Sequence, residues 1–452
     1  MIFKRGTRVH IVGVGGAGMS GLARLLATRG CAVSGSDARA SDVLEELRAA
    51  GVAVHVGHDP GAVGDAQVVL WSPAVPEDDA ELTAARDRGA TLVGRASVLA
   101  ELARMRPVVG LTGTHGKTTA TSMLVHVFHA AGVDASRLLG APVVGVGTNG
   151  HWGDEPLVME VDESYGTFRE LEPAALGLLN VEPDHLDYYG DRDALETAFA
   201  DLVERTVGPV VAWVDDPGSR RVRGHVTRPV VSVGRRDADW VVTDEVVSRR
   251  AARFDLTGPD GQHLEVELSV TGAHNVANAA VVAVLALSVG LAAEHVVGGL
   301  AAFTGAPRRF EFRGRWHGAD VYEDYAHLPG EVAATLAAAR AAGYTEIAAV
   351  FQPHRVTRTI ALAADFADAF DSAQRVIVTD IYRAGEANPT GVTGQLVAEA
   401  VARSFEGPVD YAATFDDVVA ALAAGSGPDA IFFLGAGDIA DAIGRLAGGL
   451  DS

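Results

Sequence analysis

The sequence predicts an α/β protein built of three α/β units in series. The chain has 452 residues, which at about 150 residues per domain corresponds to roughly three domains, each long enough to bury a core. Short apolar runs alternate with helical patterns, the signature of βαβ units around parallel sheets. Two glycine-rich loops, 13–18 and 113–118, each stand between an apolar run and a helical pattern. Hydrophobic residues make up 48% and charged residues 21%, which excludes general disorder. The formal charge of 37 − 59 = −22 argues against a non-specific nucleic-acid binder, which needs basic surface to release counterions. A single cysteine, Cys31, excludes a disulfide scaffold. Lys4 and Lys117 are the two lysines, so chemistry that needs an ε-amine in the body of the protein falls to Lys117.

In the first unit, 8–14, 31–34 and 68–71 read as strands, 19–29 and 43–50 as helices, and 72–76 as a turn. Residues 102–107 read as a hinge. The second unit opens with a strand at 108–112 and a helix from about Lys117, and 156–161 and 175–179 are further buried strands. Short alternating segments between 228 and 270 predict an antiparallel patch. A long alanine-rich helix follows from about Asn275, and its uncharged stretch 276–293 reads as a helix buried in a large domain rather than a membrane span. The third unit starts near Pro307, with strands at 347–351, 376–379 and 430–434. The glycine-broken start lacks an export signal, so a cytoplasmic protein is expected.

Gly13-Val14-Gly15-Gly16-Ala17-Gly18 fits G-x-G-x-x-G. Such glycines let the backbone turn tightly and approach a diphosphate at a helix N-terminus. Gly15, Gly16, Ala17 and Gly18 are the candidate contacts, and Asp37 stands near the ribose-binding position of dinucleotide folds. By itself the motif suits NAD, FAD, a nucleotide-sugar diphosphate or a tight turn.

Gly113-Thr114-His115-Gly116-Lys117-Thr118, followed by Thr119, is more specific. Backbone N–H groups of such a loop cradle phosphates, the lysine reaches the β- and γ-phosphates, and the Thr118 hydroxyl suits Mg2+. The strict pattern places its first glycine at Leu111, and Gly110 comes one residue early. Acids follow in Met159-Glu160-Val161-Asp162-Glu163-Ser164 and in Asn180-Val181-Glu182-Pro183-Asp184-His185-Leu186-Asp187. Both groups sit after apolar strands, where ligands gather in open α/β sheets. One or two of the carboxylates suffice for Mg2+, and the others read as solvated or capping. Asn275 and Asn278 share a face at the start of the long helix, and from the residues alone they read as caps. Arg355 and Arg358 form a fork suited to a carboxylate or phosphate, and His327 follows Glu323-Asp324-Tyr325-Ala326. His126 and His129 have no third partner for zinc.

In order along the chain, HIVGVGGAGMSGLA with SGSD, GTHGKTT, MEVDES, NVEPDHLD, TGAHNVANAA, GAPRRFEFRG, EDYAHLPGEV, VFQPHRVTRT and FLGAGDI resemble the Mur ligases. These are ATP-dependent amide ligases of peptidoglycan precursor synthesis. The resemblance implies a Rossmann-like domain at 1–105 that binds the UDP part of the substrate. It implies a central P-loop ATPase domain with a mixed sheet at 106–306 and a Rossmann-like amino-acid-binding domain at 307–452. It implies ATP and Mg2+ with UDP-N-acetylmuramate and L-alanine as small-molecule substrates, no nucleic-acid or membrane partner, and a monomer or homodimer.

Carried onto this chain, the family pattern gives Lys117 and Thr118 to phosphate and Mg2+, Glu160 to the metal, and His185 to the metal's neighbourhood. Asn275 and Asn278 fall on the adenine side. Arg309 (or Arg308) and Asp324 match polar residues between the second and third domains. His327, Arg355 and Arg358 match residues around the amino acid and γ-phosphate. Neither the sequence nor the resemblance fixes the base for the amine, for which His327 and Asp324 are the candidates. Several members use a carbamylated lysine near a second Mg2+, for which this chain has no lysine. Leu328, Glu323 and Tyr165 depart from the alanine-adding pattern. A member that adds another amino acid or a recycled peptide remains an alternative, and a nicotinamide-dependent dehydrogenase is a distant one. Lys117→Ala is expected to abolish ADP release while leaving the far-ultraviolet circular dichroism unchanged.

Overall fold

The N-terminal sheet consists of β1 (Arg8–Val12), β2 (Ala32–Asp37), β3 (Ala53–Val56), β4 (Val68–Trp71) and β5 (Thr91–Gly94) in the order β3-β2-β1-β4-β5. Every pairing in it is parallel. Between the strands run α1 (Ala17–Thr28), α2 (Asp42–Ala49) and α3 (Ala80–Asp87), and α4 (Arg95–Met105) leaves β5. These features come from a computed structural model that describes residues 2–72, 75–425, 427–446 and 449–451. Of the turn expected at 72–76, Pro73 and Ala74 lie outside the described residues. The strand β1 reads RVHIV with four of its five residues buried, as a parallel strand covered on both faces requires. The expected hinge is shorter than 102–107. Val98, Leu99 and Leu102 keep the buried face of α4 going to Met105, so only the step through Arg106 to Pro107 is extended.

The central sheet follows. It is built from β6 (Val108–Thr112), α5 (Lys117–Ala130), β7 (Ala135–Leu138), β8 (Gly150–His151), β9 (Asp154–Glu160), β10 (Ala175–Leu178), α6 (Leu186–Tyr189), α7 (Arg192–Arg205), β11 (Val210–Trp213), α8 (Pro217–His225), β12 (Val231–Gly234), β13 (Trp240–Val247), β14 (Ala252–Thr257), β15 (His263–Leu268), α9 (Ala273–Ser288) and α10 (Ala293–Ala302). The strand order is β15-β14-β13-β12-β11-β10-β6-β9-β7-β8. The antiparallel patch expected over 228–270 begins later than predicted. The strand β12 runs parallel to β11, and β13 enters parallel to β12. The β14–β15 hairpin is antiparallel, with alternating buried and exposed residues in β15. The uncharged stretch after Asn275 is buried through most of α9. Among the described residues no helix is long and apolar enough to cross a membrane.

Both sheets belong to one compact unit of residues 1–246, 252–270 and 274–304. Trp152 helps join them. The guanidinium groups of Arg29 and Arg106 both lie over its ring, at 4.5 and 4.2 Å from the centroid, and its backbone N–H donates to Thr28 Oγ1 at 2.9 Å. Arg24 Nη1 donates to Asn149 Oδ1 at 2.5 Å, and Nη2 donates to Glu46 at 2.6 Å.

The second unit holds residues 247–251, 271–273 and 305–452. Its elements are β16 (Glu311–Trp316), β17 (Ala319–Asp324), α11 (Pro329–Ala341), β18 (Ile347–Phe351), α12 (Val356–Leu362), β19 (Arg375–Thr379), α13 (Gln395–Val401), β20 (Val409–Ala412), α14 (Phe415–Ala424), β21 (Ala430–Leu434) and α15 (Ala440–Gly444). The order is β16-β17-β21-β18-β19-β20, with β16 antiparallel to β17 and the other pairings parallel. Phe432 is central to the aromatic core, stacked on Tyr322 at 4.8 Å and edge-on to Phe310 at 5.0 Å. Phe432→Ala is expected to cost this unit about 3–5 kcal/mol of stability, measured by chemical denaturation.

Candidate active site

The loop after β6 enters α5 through two left-handed glycines, Gly113 (φ +143°) and Gly116 (φ +81°). A side chain has no room at either. An added Cβ would stand 2.9 Å from the Asn180 carbonyl at Gly113 and 2.8 Å from Asn278 Oδ1 at Gly116. The loop is braced from the end of β10. Thr114 N donates to Asn180 O at 3.1 Å, His115 N donates to Asn180 Oδ1 at 2.8 Å, and Asn180 Nδ2 donates back to His115 O at 3.0 Å. Thr118 and Thr119 occupy the first turn of α5.

Lys117 Nζ donates to the Gly113 and Thr114 carbonyls at 2.8 and 3.1 Å. It also reaches both Glu163 carboxylate oxygens, at 2.9 and 2.8 Å, and lies 3.9 Å from Asp162. Glu163 is 1% exposed, which overturns its reading as a solvated acid. Burial pushes its carboxyl up against the opposing pull of Lys117. Burial also opposes the charge on Asp162, but Lys117, Arg95 and the Ser164 hydrogen bonds outweigh it and hold that carboxyl below the usual range. Glu160 accepts from Gly140 N at 2.9 Å and from the Thr118 hydroxyl, and burial pushes its carboxyl up.

The expected metal set of Thr118, Glu160 and His185 is divided. Thr118 and Glu160 touch. His185 instead joins Glu163 and Asp184, with one ligand atom from each lying within 4.8 Å of the others. Sequence reasoning missed Glu163 and Asp184 as members. Their position beside β9 and after β10 was the available signal. The hydroxyl and carboxylate oxygens fit a hard divalent cation such as Mg2+, the His185 imidazole is a softer donor that such an ion does not require, and the glycine cradle fits phosphate. His185 and Tyr165 are both non-glycine residues at φ +52°, with their rings 6.4 Å apart.

Asn275 and Asn278 are 6% and 5% exposed. They lie within α9, past its first residue Ala273, and so are not caps. The Asn278 amide packs on Gly116. At the first glycine loop, Gly16 precedes α1, and the Ala17 and Gly18 backbones form its first turn. Gly15 N donates to Asp37 Oδ2 at 2.9 Å, so Asp37 also shapes this loop. His126 is buried in α5 with its pKa pushed down by burial. A cavity of about 1180 Å³ lined by residues including Arg223, Arg228, Trp240 and Leu287 contains none of these groups. The chemistry converges at the strand ends.

In the second unit, Asp324 accepts from Phe310 N and Ala326 N at 2.7 and 2.8 Å. Burial pushes its carboxyl up, and Arg309 opposes this. Arg308 is engaged by the Gly435 and Gly437 carbonyls and by Glu323. The Arg309 guanidinium lies over the Tyr325 ring at 5.3 Å. His327 Nδ1 pairs with the Tyr325 carbonyl at 3.0 Å and with Glu331 at 3.2 Å, and burial lowers its pKa. Arg355 opens α12 at φ +69°. Arg358 Nη1 donates to His354 Nδ1 at 3.0 Å. His354 was not singled out from the sequence. It stacks on Tyr382 at 5.7 Å and lies 5.7 Å from the His327 ring.

Fold and site together are those of a phosphate-loop α/β ligase. More particularly, the chain belongs to the Mur ligase family. Three family models match in succession: "Mur ligase family, catalytic domain" at 8–107, "Mur ligase middle domain" at 111–286, and "Mur ligase, glutamate ligase domain" at 308–437. A relative from Thermobifida fusca, named UDP-N-acetylmuramate–L-alanine ligase, is 42% identical over 96% of this chain and 94% of its own. The crystal structure of a UDP-N-acetylmuramate-alanine ligase from Thermotoga maritima superposes with a TM-score of 0.83 at 28% identity, covering 97% of this chain and 98% of that one. A murein peptide ligase from Psychrobacter arcticus shares the fold, with a TM-score of 0.72 at 24% identity over 98% of each chain.

Burial, followed by the neighbouring basic groups of His327, Arg358 and Arg355, pushes His354 down to about 4. An unfolded histidine titrates near 6.5. Between those values the unfolded chain binds the proton that folded His354 refuses, so stability falls as pH drops through that window. His354→Gln is expected to flatten this slope, measured by denaturant titration at pH 4.5 and pH 7.

Proposed function

We propose that this chain is an ATP-dependent ligase that joins the carboxylate of UDP-N-acetylmuramate to the amino group of L-alanine in peptidoglycan precursor synthesis. The observation that carries the reading is the Lys117 ammonium, fixed at the mouth of a loop whose two glycines have no room for a side chain and facing a buried set of acids. The full-length likeness to ligases of this name supports the two substrates. A sugar carboxylate oxygen attacks the γ-phosphorus of ATP, the bond to the bridging oxygen breaks, and ADP leaves with the electron pair. The alanine amine then attacks the acyl carbon, orthophosphate departs, and the amine proton passes to a base, for which we propose His327 with Nε2 free to accept.

Activation is needed because an unactivated carboxylate would have to expel oxide or hydroxide. Lys117 exchanges Glu163 for phosphate oxygens and, with the N–H groups at the start of α5, neutralises charge moving onto ADP. Mg2+, held by Thr118 and Glu160 with Glu163, Asp184 and His185 as a second group, supplies further charge neutralisation when bound. Asn275 and Asn278 are assigned to the adenine side. Gly15, Gly16, Ala17, Gly18 and Asp37 are assigned to the UDP moiety, and Arg309, Arg355 and Arg358 to the anionic groups of the amino acid and γ-phosphate. Residues 1–105, 106–306 and 307–452 then divide the labour as UDP-sugar, ATP and amino-acid domains of a cytoplasmic enzyme.

The test measures ADP release and amide formation with UDP-N-acetylmuramate across alanine, glycine, serine and an alanyl peptide. Alanine is expected to be preferred over glycine by about 10–200-fold, the range of one methyl group in an apolar pocket. Preference for the peptide would establish the recycling alternative. Arg355→Ala is expected to raise the KM for alanine at least tenfold with the KM for ATP little changed, read by steady-state kinetics.

A further inference from the structure

We infer that Arg95 is a substrate-binding residue that grips an anionic group of the sugar nucleotide, reaching from the first glycine loop to the acids beside Lys117. The inference rests on the proposed function for the identity of that substrate.

Three observations on this side chain support it. Arg95 is the first residue of α4, directly after β5, so its backbone is fixed at the carboxyl edge of the N-terminal sheet. The guanidinium packs against Gly18 in the first turn of α1, where a Cβ would stand 3.0 Å from both Cζ and Nη2. A side chain at Gly18 would press on the guanidinium, which would have to give by a few tenths of an ångström. Its other end faces the central sheet, with Nη1 3.5 Å from Asp162 Oδ2, and Asp162 itself stands 3.9 Å from Lys117 Nζ. One side chain therefore spans the loop expected to hold the substrate's diphosphate and the acids expected to face ATP.

Its donors are poorly satisfied for such a place. Nε is buried and has no hydrogen-bond partner among the described residues. The Asp162 contact is an ion pair at 3.5 Å, longer than a charge-assisted hydrogen bond. A guanidinium placed against the electropositive first turn of a helix is unfavourable unless an anion joins them. Glu160, Asp162 and Glu163 make the surroundings strongly acidic, so a carboxylate or phosphate approaching from the first domain needs a cation on its path. The side chain is 25% exposed, which leaves it accessible to such a group.

The anion is either the diphosphate or the sugar carboxylate, and two ligands separate them. Calorimetric titration of the full chain with UDP-N-acetylmuramate and with UDP, on the parent, Arg95→Ala, Arg95→Lys and Asp162→Asn, reads binding without turnover. Loss of a charge-assisted contact is expected to weaken UDP-N-acetylmuramate binding by about 10–100-fold in Arg95→Ala, with ATP binding changed less than about twofold. Arg95→Lys is expected to recover part of the loss, because it keeps the charge but not the fork. A matching loss for UDP assigns the diphosphate, and an unchanged UDP affinity assigns the carboxylate. The inference is overturned if Arg95→Ala binds UDP-N-acetylmuramate like the parent. It is also overturned if Asp162→Asn reproduces the whole loss, which would make Arg95 only a strut for that acid. A parent that binds the sugar nucleotide but forms no amide would count against the proposed function and leave the Arg95 result standing.

Discussion

The ion pair between Lys117 and Glu163 organises the site. A buried ion pair repays desolvation only when geometry and extra hydrogen bonds are good, and removing one partner costs about 3–5 kcal/mol. Here both carboxylate oxygens and two loop carbonyls meet one ammonium, so the lysine is satisfied and its rotamer fixed. The same contacts hold the loop backbone at its entry to α5. In the proposed exchange a phosphate oxygen would take the place of Glu163 at that ammonium, and the released, buried carboxylate would then need another cation, a place that the proposed Mg2+ would fill.

The acids around it follow from sheet geometry. Parallel strands β6, β9 and β10 end together, and the residues leaving them are gathered over one edge. Burial pushes the Glu160 carboxyl up, while Lys117 and Arg95 outweigh burial at Asp162 and hold its carboxyl below the usual range. Neighbouring carboxyl groups thus differ in proton affinity because their partners differ.

Much of this was legible in the sequence. Both glycine loops, their strands and the alanine-rich helix lie where local pattern placed them, because adjacent residues determine a tight turn and a buried run. Arg95 was not legible. It is 67 positions from Asp162 (162 − 95), and an arginine opening an ordinary amphipathic helix carries no local mark of a partner across two sheets. The grouping of His185 with Glu163 was hidden for the same reason, since 22 positions separate the two (185 − 163). The β16–β17 hairpin escaped notice because RGRW is polar and alternates only weakly. His354 gave no signal because its neutrality comes from burial beside Tyr382 and from neighbouring cations, which are tertiary facts.

The scarcity of lysine has a practical consequence. An amine-acylating reagent has two ε-amine targets, exposed Lys4 and Lys117 beneath its carboxylate clamp. Footprinting by mass spectrometry therefore reports the state of the phosphate loop as one peptide's mass shift, with the other lysine as an internal standard for reagent dose.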